Sequence, residues 1–324
     1  MAAPVVYLSS MQTLALKLLA LLVACAACAH AGASPTEPSP LTQPIASQGT
    51  ATTLDVANWN VEWFGMPGYG PADEGLQLRN VQAVMKGMDA DVWGLAEVCD
   101  SVQFRQLVKG MPGYAGLLAN DPAVRSGSAY YYATEQKVAL VWRTSQVKLD
   151  SARVVLAEHD EEFAGRPPVE FHLHVTIDGH SEPLVVLVMH AKAGADLASW
   201  QRRAAAAQAL KAYLDATWPT QKVLVIGDFN DLGQGSIASG QASPYRAFVS
   251  DSAHYSLITL ALQQAGLSSE TDYPSVIDQQ LATNELAADY VPGSVEAFRA
   301  DQYVAAYRST TSDHFPVLAR YRVP

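Results

Sequence analysis

The chain has 324 residues, 49% of them hydrophobic and 16% charged, and a formal net charge of −11. This is an ordinary globular composition with material for one large domain or two small ones. The acidic balance excludes the sequence-independent grip on nucleic-acid backbone that a basic binding module uses, but not an enzyme that engages a few phosphates locally.

The first stretch reads as an export leader. Leu14 to Ala29 is apolar and small, with Lys17 its only charge. That is too short for a membrane span and suits a signal-peptide core. A start at Met11 would place Lys17 in the basic segment that precedes such a core. Leu22-Val23-Ala24-Cys25 resembles a bacterial lipobox, which would make Cys25 a lipidated N-terminus and the only link to a membrane. Ala27-Cys28-Ala29 or Ala29-His30-Ala31 would instead suit a conventional signal peptidase. The expectation is a leader over 1–31 and a Ser/Pro/Thr-rich flexible tether over 32–51. A catalytic domain over 52–324 follows, periplasmic, at the cell surface, or secreted. Cys99 is the only cysteine in the body, so no disulfide framework is available there. With no helix start or histidine beside it, it reads as a small buried residue and not a nucleophile.

The body opens with alternating residues from Leu54 to Asn60, a predicted strand that places Asn58, Asn60 and Glu62 on one face. Leu76 to Met88 has apolar residues at helical spacing. Asp91 to Val98 reads as a strand with Glu97 at its end, Ser101 to Lys109 as a helix, and Lys137 to Arg143 as a strand with Arg143 at its exit. Val147–Leu156 and Val169–Ile177 read as an antiparallel pair, joined through the acidic run Asp160–Glu162 and Arg166-Pro167-Pro168. Leu184 to His190 is the most apolar strand and ends on a histidine. Ala195 to Thr217 reads as an Ala-rich helix. Lys222 to Ile226 is a buried strand followed by Gly227-Asp228-Phe229-Asn230-Asp231. A helix is predicted near Tyr255–Ala265, a strand over Ser275–Leu281 with Asp278 inside it, and a last strand after Ser312-Asp313-His314-Phe315-Pro316-Val317. His172 and His174 alternate on a strand, but with no third ligand nearby a metal site there is the weaker reading.

Asn60, Glu97, His190, Asp228, Asn230, Asp278, Asp313 and His314 all sit at or beside predicted strand termini, which converge in layered α/β folds. The set is rich in oxygen and free of thiolate, which selects Mg²⁺, Mn²⁺ or Ca²⁺ over structural zinc. The histidines add groups that titrate near neutrality.

In order and spacing, Trp59-Asn60, Ala96-Glu97-Val98, Met189-His190, Gly227-Asp228-Phe229-Asn230, the Asp278 strand and Ser312-Asp313-His314-Phe315-Pro316-Val317 resemble the deoxyribonuclease-I-like superfamily of endonucleases, exonucleases and phosphatases. The resemblance covers about residues 53–322. It implies a four-layer α/β sandwich, two mixed and mainly antiparallel sheets packed face to face and flanked by helices, in a bacterial exported member. It also implies a metal held by Glu97 with Asn60 and Asp313 nearby, Mg²⁺ or Mn²⁺ with Ca²⁺ as a further option. His314, oriented by Asp278, would activate or stabilise the attacking water. His190 would protonate the leaving oxygen or hydrogen-bond the phosphate. Asp228 and Asn230 would hold the nucleophile and a phosphoryl oxygen. Arg166 looks like the Arg-x-Pro residue that contacts phosphate in deoxyribonuclease I, and Arg143 would be a further substrate contact. Support for His190 would come from Glu135, if a bulge brings it into register, where Gln136 otherwise stands.

The implied activity is a monomeric nuclease acting on DNA or RNA. The alternatives are a phosphodiesterase or phosphatase on a small or lipid head-group substrate, sphingomyelinase-like, and a non-catalytic binding module on the same scaffold. Specificity would lie in the loops Gly65–Pro71, Asn120–Glu135, Gly194–Ser199 and Gly233–Ser243. Of these, Asn120–Glu135 carries Arg125 and Tyr130 to Tyr132, readable as base-stacking aromatics or as an ordinary packed loop.

Overall fold

The structure, a computed structural model, describes residues 40–324. The leader, the lipobox at Cys25 and tether residues 32–39 lie outside the described residues. In chain order the strands are β1 (Leu54–Phe64), β2 (Val92–Val98), β3 (Tyr114–Leu118), β4 (Val124–Arg125), β5 (Lys137–Arg143), β6 (Val147–Val154) and β7 (Val169–Ile177). They continue as β8 (His180–His190), β9 (Val223–Asp228), β10 (Tyr255–Leu257), β11 (Asp278–Thr283), β12 (Glu296–Ala297) and β13 (Val317–Tyr321). One sheet runs β12-β13-β1-β2-β5-β3 and the other β10-β11-β9-β8-β7-β6-β4. The long helices are α1 (Glu74–Met88), α2 (Ser101–Lys109) and α3 (Leu197–Thr217).

Strand alternation explains the layering. In β1, Leu54 and Val56 enter the core between the sheets, while Ala57, Trp59 and Val61 face the α1 side. In β8 and β9, Val186, Val188, Leu224 and Ile226 point inward, and Val185, Leu187, Val223 and Val225 pack under α3. Each outer face is covered by a helix with a matching apolar stripe: Val81, Val84, Met85 and Met88 of α1, and Ala206, Ala207, Leu210 and Leu214 of α3. Asp73 caps α1 by accepting from Leu76 N at 2.8 Å, and Asp196 caps α3 by accepting from Ser199 N at 2.9 Å. The result is the expected four-layer sandwich. The sheets approach so closely at Gly94 that a Cβ there would lie 2.5 Å from Ile226 Cδ1.

Three expectations change. The tether's described part, 40–51, is docked: Ile45 is buried against α1, and Thr42 N donates to Tyr303 O at 2.8 Å. Tyr255–Leu257 is a strand because its backbone pairs with β11, and only Leu260–Gln264 is helical. Strand β11 starts at Asp278, three residues later than read, because Ser269 Oγ takes the amides of Ile277 and Asp278.

Strand direction decides what reaches the site. Parallel pairing aligns the ends of β1 with β2 and of β8 with β9; antiparallel pairing brings the starts of β11 and β13 to the same edge.

Candidate active site

At that edge the inward alternation continues but the side chains turn polar. Asn58 and Asn60 follow Val56, His190 follows Val188, and Asp228 follows Ile226. Register pairs His190 with Asp228 and Asp228 with Asp278. Beneath them Asn58 Nδ2 donates to Gly227 O at 3.4 Å, and Gln280 Nε2 donates to Asn58 Oδ1 at 3.1 Å, tying the two sheets together.

Glu97 reaches the site by a different route. Alternation would give the inner position to Ala96 and aim Glu97 at the helices. Instead Glu97 has φ +62° and the β2–β5 register breaks between Leu95 and Val98, which turns the carboxylate inward. Glu62, Trp63 and Asn230 are also left-handed, at φ 45°, 48° and 51°. Such residues cost on the order of 1–3 kcal/mol each and gather at functional sites. Lys137, fully buried, pins this corner: its Nζ donates to Cys99 O at 2.6 Å, Ala133 O at 2.9 Å and Glu135 O at 2.9 Å. Burial, with the charge of Glu97, pushes the Cys99 thiol up to about 12, so it carries no nucleophile.

Asp228 is the hub. Its Oδ2 accepts from Asn60 Nδ2 at 3.0 Å and lies 3.6 Å from His190 Nε2 and 3.9 Å from His314 Nε2; its Oδ1 accepts from Asn230 N at 2.8 Å. Burial raises the Asp228 carboxyl, and Asp278 adds to this against the pull of His314. The two imidazoles are held in opposite states. Burial opposes charge on His314, but Asp278, bonded to Nδ1 at 2.7 Å, with Asp228 and Asp313 beyond it, outweighs burial and holds His314 well above the usual histidine value. Burial, then the charges of Arg166 and His314, push His190 well below it. Among the described residues, His190 Nδ1 is buried with no hydrogen-bond partner, while Nε2 lies 3.6 Å from Asp228 and 3.7 Å from Glu97. The two carboxylates favour the tautomer with the proton on Nε2.

Asn60 donates its amide nitrogen to Glu97 Oε1 at 3.1 Å as well as to Asp228, while its Oδ1 accepts from Glu62 N at 3.0 Å. An N–H can only donate, so this fixes the amide: Asn60 holds two carboxylates through Nδ2 and turns Oδ1 to the Glu62 amide. Asn230 Nδ2 donates to Ala191 O at 3.2 Å. Arg166 Nη2 donates to the same carbonyl at 3.3 Å and Nη1 bonds Gln136, which places Arg166 beside His190 and Asn230. Glu135 accepts from Tyr132 N at 2.9 Å and does not support His190.

Arg143 is a correction. Strand β5 runs antiparallel to β2, so its exit lies at the far end, where Arg143 binds Asp91 at 3.0 Å and also Asp89. His172 and His174 pair with Glu170 and Asp150 at 2.7 and 3.0 Å, away from the site. Two carboxyls escaped the sequence reading as site residues. Burial, with Asp313 and Glu97, pushes Glu62 up to about 7, although Arg308 bonds it at 2.9 Å. Burial, with Asp278 and Asp228, pushes Glu270 up to about 7 against the pull of His314. Alternation through Asn58 and Asn60 pointed at Glu62; nothing local marked Glu270, which meets His314 through an isolated antiparallel bridge.

Glu97 is likewise raised, by burial and then by Asp313. Crowded carboxyls of this kind call for a cation, and the donors are hard oxygens. Among the described residues no three acidic, imidazole or thiol groups close a complete cage.

The profile of the Endonuclease/Exonuclease/phosphatase family matches residues 57–314. The chain belongs to that family. Members generally depend on a divalent metal, and membership makes the chain a phosphoester hydrolase. Solved structures share the fold. A humanized D. rerio TDP2 is 14% identical with a TM-score of 0.58, covering 83% of this chain and 99% of that one. The human Nocturnin catalytic domain is 16% identical with a TM-score of 0.56, covering 84% and 95%. The Bacteroides thetaiotaomicron mannosyl-6-phosphatase is 16% identical with a TM-score of 0.50, covering 82% and 98%. No curated protein matches the chain.

Proposed function

We propose that the chain is a metal-dependent phosphodiesterase that cleaves nucleic acid, DNA or RNA, outside the cytoplasm. The observation that supports it best is the pair of imidazoles, one neutral and one protonated, around one carboxylate oxygen, which supplies the protonic roles that phosphodiester hydrolysis needs. Asp228, its carboxyl raised and hence more basic, orients the water and draws its proton. His314, as imidazolium, donates to the leaving oxygen. Neutral His190 hydrogen-bonds a phosphoryl oxygen through Nε2, and Asn230 and Arg166 hold the others. This moves the water-activating role from His314 to Asp228. Glu97 with Asp313 would hold the cation, Mg²⁺ or Mn²⁺, which when bound neutralises phosphoryl charge. Export rests on the apolar stretch Leu14–Ala29, with Cys25 as the lipid attachment point.

A small or lipid head-group phosphoester is the second reading. It is favoured by the net charge of −11 and by a cavity of about 610 Å³ beside Glu270 and Phe315. The test is a panel of plasmid DNA, single-stranded oligonucleotide and RNA, each with Mg²⁺ or Mn²⁺ and with EDTA, alongside Glu97→Ala. Metal-dependent cleavage lost in EDTA and in the variant is expected. Intact nucleic acids throughout would sink the proposal, and release of phosphocholine from sphingomyelin in their place would establish the second reading.

A further inference from the structure

The kink at the end of β1 does more than aim backbone at Glu97. By alternation Val61 faces the α1 side and Trp63 would follow it into that core. The left-handed pair Glu62 and Trp63 shifts the alternation by one, so Phe64 takes the core place and is fully buried while the Trp63 indole moves to the rim. A large apolar ring is thus displaced from a core at the expense of backbone strain. The displaced ring does not stand alone. Tyr69 lies over it with ring centroids 4.6 Å apart and planes 27° from parallel, and Tyr69 remains 56% exposed. The pairing is built in: Met66 N donates to Trp63 O at 2.9 Å and Tyr69 N to Met66 O at 3.1 Å. Gly70, at φ 59°, sits where a Cβ would meet Glu62 O at 2.9 Å, so the loop folds back only because that atom is absent. Trp63 N donates to Glu97 Oε2 at 2.9 Å, so the backbone that carries this aromatic pair is bonded to the carboxylate proposed above to hold the cation.

We propose that Trp63 and Tyr69 form a stacking platform for an unpaired nucleobase next to the scissile phosphate. The inference rests on the nucleic-acid reading above and narrows its substrate to single-stranded or locally unpaired chains, since a duplex hides its base faces. An acidic protein gains little from counterion release, so stacking, which is indifferent to net charge and to sequence, is the affinity source open to it. Within the run Tyr130–Tyr132, Tyr131 is unavailable, being buried with its hydroxyl on Pro167 O at 2.7 Å, whereas Tyr132 is 64% exposed.

The experiment uses the purified full chain with single-stranded DNA, single-stranded RNA, duplex DNA, and a single strand carrying one abasic residue beside the cleavage site. Uncleavable phosphorothioate versions report binding by anisotropy. Wild type should prefer single strands, with a shallow salt dependence. Tyr69→Ala, at an exposed loop position, should raise KM about tenfold with kcat little changed. That penalty should vanish on the abasic strand, and Tyr69→Phe should restore wild-type KM. The DNA and RNA arms identify which chain carries the base. Equal KM for wild type and Tyr69→Ala, or an equal penalty on the abasic strand, would overturn the platform while leaving nuclease activity standing. Failure to bind or cleave any nucleic acid would overturn both.

Discussion

Asp228 and Asp231 are three residues apart, both buried, and used in opposite ways. Asp231 Oδ2 accepts from Arg203 Nε and Nη2 at 3.0 and 2.8 Å and from Ser236 Oγ at 2.9 Å, while its Oδ1 accepts from Leu232 N and Ile237 N at 2.9 Å each. Arg203 Nη1 donates to Lys192 O at 2.8 Å and Gly194 O at 2.7 Å. Each guanidinium nitrogen and each carboxylate oxygen in that knot has a partner. Around Asp228 the imidazoles stand off at 3.6 and 3.9 Å, and among the described residues both His190 Nδ1 and Asp278 Oδ1 lack partners. Completed hydrogen bonding fixes a loop; incomplete hydrogen bonding leaves capacity for water, phosphate and metal.

The sharpest way to break this contrast is Arg203→Ala. It leaves a buried carboxylate unpaired and should cost roughly 4–5 kcal/mol of stability, read as a large loss of denaturant midpoint. A small loss would mean that the knot is not structural. Asp228→Asn should do the reverse. Turnover should fall on the order of 10²–10⁴-fold, with thermal stability kept or raised and metal affinity, measured by calorimetry, largely intact. A matched loss of metal affinity would place Asp228 among the ligands. The smallest effect concerns pH. Glu62 and Glu270 rise from 4.5 to about 7 on folding, so between those values the folded chain binds more protons than the unfolded one. Their contribution is therefore present at low pH and lost as pH rises through about 7. The metal-free Tm should drop by roughly 2–5 °C from pH 5.5 to pH 8, and Glu62→Gln with Glu270→Gln should flatten the slope. A slope unchanged in that double variant would assign it elsewhere.

The layered fold was legible because alternation and helical periodicity are local consequences of side-chain direction. Strand β3 was not read, since Tyr114-Ala115-Gly116-Leu117-Leu118 lacks alternation and is a strand only by pairing with β5. Among site residues, Asn60, His190, Asp228 and Asp278 continue an inner apolar face into polar side chains, which one strand at a time can reveal. Glu270 had no such signal, because a short bridge to His314 brings it in from a loop.

What the sequence by itself determined is which face each strand buries and which strands end in groups able to do phosphate chemistry. Tertiary structure alone decided three further things. Pairing direction, which depends on distant partners, sent Arg143 to the far end of its sheet and Arg166 to the site. A left-handed kink forced by register with β5 turned Glu97 against its own alternation. The charge on each histidine came from the company folding gave it: His314 met Asp278, Asp228 and Asp313, whereas His190 met burial and Arg166. Identical imidazoles in the sequence became an acid and a neutral donor because charge in a buried site is set by neighbours, and neighbours are set by the fold.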